Sequence, residues 1–119
     1  MLSYAADDFI VHSGNGEKLE HATVTPDAEL TLPRGTVLAT DGDGTYSVIT
    51  SDNVDNAEVI LAEDVEAGSA DVTAPVYVSG EFIEQGLTVG TSAAAVSLTD
   101  AARLNLKRAG IYLTNGISA

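Results

Sequence analysis

Apolar positions in this chain fall in short runs whose period changes along its length. Residues 58–62 carry the continuous run Val59-Ile60-Leu61, which predicts a strand covered on both faces, with Leu61 in the core. Residues 75–82 alternate instead. Val76, Val78 and Phe82 point one way and Tyr77, Ser79 and Glu81 the other, the pattern of a half-buried strand. Between the two strands Glu63, Asp64, Glu66 and Asp71 surround Gly68 with no base among them. Burying so many unpaired carboxylates is too costly, so this loop is expected to face water or a partner.

A hairpin is predicted just upstream. Residues 36–40 alternate into Asp41-Gly42-Asp43-Gly44 and continue as residues 45–49. A four-residue loop sets Thr40 opposite Thr45, Ala39 opposite Tyr46 and Val37 opposite Val48, with Val37, Ala39, Tyr46 and Val48 on one face. Residues 1–32 read differently. Phe9-Ile10-Val11-His12 is a short apolar strand candidate, Ser13-Gly14-Asn15-Gly16 is turn-rich, and Val24, Leu30 and Leu32 stand isolated among polar residues. This reads as an extended N-terminal arm with a hairpin-forming tendency, leaving residues 33–119 as the core domain. An extended arm of this kind is able to add a strand to a partner's sheet edge.

Downstream, residues 91–96 are small and are expected to form a loop. Thr99 or Asp100 then caps a helix over residues 101–109, with Lys107 and Arg108 in its last turn and Gly110 as its stop. Ile111-Tyr112-Leu113 follows as a short strand. The elements together predict a mainly β single domain with one short helix.

Length and composition narrow the picture. At 119 residues the chain is expected to hold one domain and one core. Its six aromatic residues leave large core side chains scarce, so the fold would gain from self-association. Eighteen acids against five bases give a net charge of −13, which repels phosphate backbones and anionic lipid and argues against direct nucleic-acid or membrane partners. Arg103, Lys107 and Arg108 cluster near the end, and no Lys or Arg lies between Arg34 and Arg103. Helix-dipole complementarity accounts for such a cluster, as does a contact with the acidic surface of a neighbouring subunit. The N-terminal residues lack a basic leader with a long apolar core, so the chain is read as soluble, without an export signal.

Candidate chemistry is sparse. The absence of cysteine excludes disulfides, thiolate metal sites and thiol catalysis. The loop opening at Asp41 resembles the start of a calcium-binding EF-hand, but Tyr46 stands where a Gly is required and Asp52 where a Glu closes the loop. His12 and His21 have no convergent ligands. No serine sits in a Gly-x-Ser-x-Gly elbow, and no Gly-rich phosphate motif precedes the helix. The reading is therefore not an enzyme, with no catalytic residues, no cofactor and no metal.

The order of features over residues 33–114 resembles the head decoration proteins of tailed phages, the group that includes that of phage lambda. The resemblance rests on Gly35-Thr36-Val37-Leu38, the Asp/Gly hairpin, Ile60-Leu61-Ala62-Glu63-Asp64-Val65, Val76-x-Val78-x-Gly80-x-Phe82, and a helix leading into Leu106-x-x-x-Gly110-Ile111-x-Leu113. It implies a β-clip-like domain, assembled as a homotrimer on the outside of the expanded capsid. It further implies a partner, the major capsid protein, to which the arm adds a strand, clamping the head against internal DNA pressure. The location implied is the outer surface of the virion, with the host cytoplasm before assembly. By chemistry Phe9, Ile10, Val11 and His12 are the candidate capsid-binding anchors, and Arg103, Lys107 and Arg108 the candidate trimer contact. An acidic small-molecule or cation-binding β-domain of a salt-adapted organism is the alternative that composition alone also fits.

Overall fold

The computed structural model describes residues 17–114. Six strands, β1 (Lys18–Val24), β2 (Val37–Thr40), β3 (Thr45–Val48), β4 (Ala57–Leu61), β5 (Val72–Ile83) and β6 (Ile111–Thr114), are joined by one helix, α1 (Asp100–Ala109). The strands run in the order β1-β3-β2-β4-β5-β6, and a further pairing of β1 with β5 closes the first five into a small barrel. The domain is mainly β with one short helix, as its sequence predicts.

Two apolar clusters, one on each face of the sheet, replace the single core expected from length. Inside the barrel lie Val24, Leu32, Leu38, Val59, Leu61, Val65, Ala74 and Val76. Beneath α1, on the other face, lie Val37, Ala39, Ile49, Val54, Ala57, Ile60, Tyr77, Phe82, Leu98, Ala102, Leu106 and Ile111. Strand β4 feeds both, with Val59 and Leu61 pointing inward and Ala57 and Ile60 toward the helix. Its unbroken apolar run is thus explained by cover on both faces.

Three local expectations are corrected. The β2–β3 hairpin pairs Leu38 with Val48, Ala39 with Ser47 and Thr40 with Tyr46, one residue out of the expected register. The Asp41 N–H donates to the Thr45 carbonyl at 2.9 Å, so the loop proper is the three residues Gly42-Asp43-Gly44, its glycines at φ 88° and 95°. A one-residue slip exchanges faces. Tyr46 and Val48 accordingly pack with Leu38 against the barrel interior, while Val37 and Ala39 face the helix.

Strand β5 is not half-buried but packed on both faces. Tyr77, only 6% exposed, joins Phe82 under the helix while Val76 points into the barrel. Tyr77 and Phe82 are five residues apart and share a side, so strict alternation is interrupted between them. Gly80, at φ 140°, lies at the interruption; here β5 exchanges its partner β1, paired as far as Ser79, for β6, paired from Gly80 onward. A Cβ at position 80 would meet the Phe82 ring at 3.1 Å, so glycine permits both the backbone turn and the close approach of the ring.

Within the segment expected to run as an unanchored arm, residues 18–24 form β1. This strand pairs antiparallel with β5 from Lys18–Ser79 to Val24–Val72, and Thr23 and Val24 also pair with β3. Farther on, Leu32 is buried and bridges to Val65. Most side chains of β1 are polar and exposed, so its anchorage is a matter of backbone pairing that hydropathy does not reveal. Phe9, Ile10, Val11 and His12 lie outside the described residues.

The helix follows its sequence signals closely. Thr99 Oγ1 accepts the Ala102 N–H at 3.0 Å, and Gly110 adopts the left-handed conformation at φ 112° while its N–H donates to the Leu106 and Lys107 carbonyls. Thr99 Oγ1 also donates to Asp55 at 2.6 Å, and Asn105 Nδ2 donates to the Ala57 carbonyl at 2.7 Å. Both bonds tie α1 to the start of β4. After Gly110, β6 runs parallel to the last four residues of β5.

Candidate functional site

Charge is distributed by the fold into unlike regions. The acidic loop, residues 63–71, is mostly exposed as expected, with Val65 as its one buried anchor. Asp64 Oδ1 accepts the Arg34 N–H at 2.7 Å and Asp71 Oδ1 accepts from Thr25 Oγ1 at 2.9 Å. The loop curls around an open hollow of about 320 Å³ that includes Pro26, Ala70 and Val72.

At the other end of β5, the helix carries the clustered bases. Arg103 is engaged within the chain: its NH2 meets Glu84 Oε2 at 2.8 Å and its NH1 meets Asp100 Oδ1 at 3.4 Å. The hydrogen bond to Glu84 raises the Arg103 guanidinium still further above its ordinary range. Lys107 and Arg108 are exposed in the last helical turn, where the helix dipole favours positive charge. Leu104 and Tyr112, 47% and 52% exposed, lie on α1 and β6 of the same end.

Arg34 is the residue that sequence reasoning passed over, naming it only as the start of the long stretch without bases. Its Nε donates to the Ala62 carbonyl at 3.1 Å and its NH2 to the Tyr77 hydroxyl at 2.8 Å, with the guanidinium 5.9 Å from the centre of the Tyr77 ring. A single base set in a long acidic stretch directly after a proline was the available signal. It fastens the segment entering β2 to β4 and β5, a structural role.

The remaining candidates resolve as local structure. Asp43 Oδ1 accepts the Thr45 N–H at 3.1 Å and Asp41 Oδ1 accepts from Ser47 Oγ at 3.3 Å, so both carboxylates brace their own hairpin. His21 is exposed on β1, opposite Pro75. Tyr46 donates to Glu58 Oε2 at 3.0 Å; burial, then that hydrogen bond, then the charges of Glu58 and Glu20 push its phenol above the ordinary value. An apolar groove of about 680 Å³ lies between Leu32 and Pro33 on one side and Leu87, Val89 and Val96 on the other. Among the described residues, threonine and serine hydroxyls are the only polar side chains lining it, and none of these is a group for acid–base work. Among the described residues no three His, Asp or Glu side chains converge as metal ligands, and no helix is long and apolar enough to cross a membrane.

What the structure offers is a pair of charged, partly apolar surfaces and a set of strand edges. Among the described residues, strand β1 pairs with β3 at Thr23 and Val24, and Lys18, Leu19, Glu20, His21 and Ala22 pair along one edge, with β5. Comparison with known proteins gives no match among curated sequences. The family model described as bacteriophage lambda head decoration protein D matches residues 3–111, a span that takes in the stretch before Pro33 as well as the motifs after it. The chain thus belongs to the family of phage lambda head decoration protein D, structural proteins of the phage capsid.

Proposed function

We propose that this protein cements the expanded phage head, binding its outer surface as a homotrimer and stabilising the shell against the pressure of packaged DNA without catalysing any reaction. The observation that carries this reading is the family match, which spans nearly the whole chain. In this reading the arm is the stretch before β1, and it adds a strand to the major capsid protein with Phe9, Ile10 and Val11 as apolar anchors and His12 beside them. β-Augmentation of this kind draws affinity from main-chain hydrogen bonds and specificity from alternate side chains. The net charge of −13 keeps free copies soluble and apart from nucleic acid in the cytoplasm before assembly.

Co-sedimentation with expanded, undecorated heads of the cognate phage tests the reading. The intact chain is expected to pellet with the heads at saturable stoichiometry. A chain lacking residues 1–16, which leaves β1 whole, is expected to remain folded and lose most of its binding. If the shortened chain binds as well as the intact one, the arm does not carry the contact; if neither binds, the cementing role fails.

A further inference from the structure

We propose that the basic end of the molecule formed by α1 and β6 docks into the carboxylate-rimmed hollow at the opposite end of β5 in a second copy, joining copies head to tail. This inference rests on the trimeric reading above and names the surfaces that build the trimer.

The two surfaces match in both charge and polarity. Three of the chain's five bases are on α1. Arg103 is occupied by Glu84, which leaves Lys107 and Arg108 pointing outward around exposed Leu104 and Tyr112. Leu104 and Arg108 are four residues apart and share a helix face. The receiving surface has the opposite rim: Glu63, Asp64 and Glu66 line the hollow and are exposed. Its floor is apolar, with Pro26, Ala67, Ala70 and Val72 lining the hollow and Val72 itself 39% exposed. An apolar centre inside a charged rim is the general anatomy of a protein interface. A second acidic surface, the hairpin at Asp41 and Asp43, engages its carboxylates in its own turn.

Position makes the contact intermolecular. β5 begins at Val72 in the acidic hollow and ends at Ile83, next to the Glu84 that lines the basic end. Twelve residues of extended chain span up to about 40 Å at roughly 3.3 Å each. The two surfaces therefore lie at opposite ends of one strand, and the contact proposed is one between copies. Unlike patches at opposite ends generate heterologous contacts, which run on as a filament or close as a ring. In a ring of three, each basic end finds an acidic hollow and none is left over.

Charge reversal tests the pairing in the full-length protein. Sedimentation equilibrium and light scattering would follow the wild type, Lys107→Glu/Arg108→Glu, Glu63→Lys/Glu66→Lys, and the quadruple variant carrying all four changes. All four positions are exposed, and far-UV circular dichroism checks that each variant is folded. Each double variant is expected to weaken assembly at least tenfold, and the quadruple variant to return to within about threefold of wild type, because its rims are again opposite. Assembly of the wild type is expected to weaken as salt rises. A trimeric wild type whose double variants assemble equally well overturns the docking while leaving the trimer standing. Double variants that dissociate with a quadruple variant no stronger than either overturn the pairing of these two surfaces. A wild type that stays monomeric at every concentration overturns both the docking and the trimeric reading.

Discussion

The two apolar clusters of this small domain are assembled in different ways. The barrel interior is filled by residues that alternate along β1, β2, β4 and β5, with Leu32 and Val65 closing one end through their bridge. The cluster under α1 draws on the same sheet from outside, but half of it arrives from beyond β4: Tyr77, Phe82, Leu98, Ala102, Leu106 and Ile111. The barrel gives a small chain a continuous sheet with few edges. The helix-side cluster gives it its aromatic packing, with the Tyr77 and Phe82 rings 5.4 Å apart, and sets the position of the basic end. The difference teaches that the two buried rings, Tyr77 and Phe82, sit where the helix and β6 are held to the sheet, while the barrel interior is aliphatic apart from the partly buried Tyr46.

Replacing Phe82 by Ala is the largest blow to the helix-side cluster, expected to cost about 3–5 kcal/mol because the ring is fully buried and leaves a cavity. Urea unfolding followed by circular dichroism measures it. The neighbours Ile60 and Leu61 sharpen the contrast, since each is fully buried but on opposite faces of β4. Ile60→Ala and Leu61→Ala are each expected to lose about 2–5 kcal/mol within a single unfolding transition. Two separate transitions in either variant would mean that the clusters fold independently.

Gly110→Ala is expected to cost about 1–2 kcal/mol, from the left-handed backbone alone. A Cβ there would also meet Ser79 Cβ at 3.3 Å, so the join of α1 to β6 loosens and the barrel does not. Thr99→Ala follows at about 1 kcal/mol for the lost helix cap. Hydrogen exchange is expected to speed up at Ala102 and Arg103 while the β1–β5 amides stay protected.

The smallest effect is on the barrel side and depends on pH. The Tyr46 phenol titrates higher in the folded protein than in the unfolded chain, so the folded state holds its proton longer. Its contribution is fully present below pH 10 and is lost as pH rises through the raised value. Tyr46→Phe is expected to flatten the decline of stability on the alkaline side. An unchanged slope would show that Tyr46 does not supply it.

Legibility in the sequence followed locality. The α1 caps, the buried run of β4, the strand after Gly110 and the exposed acidic loop all depend on residues adjacent in the chain, and each was readable there. The β2–β3 register was missed because the Asp41–Thr45 pairing decides between a three- and a four-residue loop, and Asp-Gly-Asp-Gly is compatible with both. Tyr77 looked solvent-facing because its cover, Arg34 and the segments after β5, comes from elsewhere in the chain. β1 escaped notice because its polar side chains hide a backbone paired along its whole length with β5. The surfaces of the functional reading were legible as charge clusters, whereas the engagement of Arg103 by Glu84, and hence the weight falling on Lys107 and Arg108, required the fold.

The cementing role is tested most directly by the heat resistance of DNA-filled heads that lack this protein, measured as the temperature at which they release their DNA. Adding the purified chain back is expected to raise that temperature, saturating as the shell fills, and the chain lacking residues 1–16 is expected to leave it near the undecorated value. A release temperature unchanged at saturating protein would contradict the account.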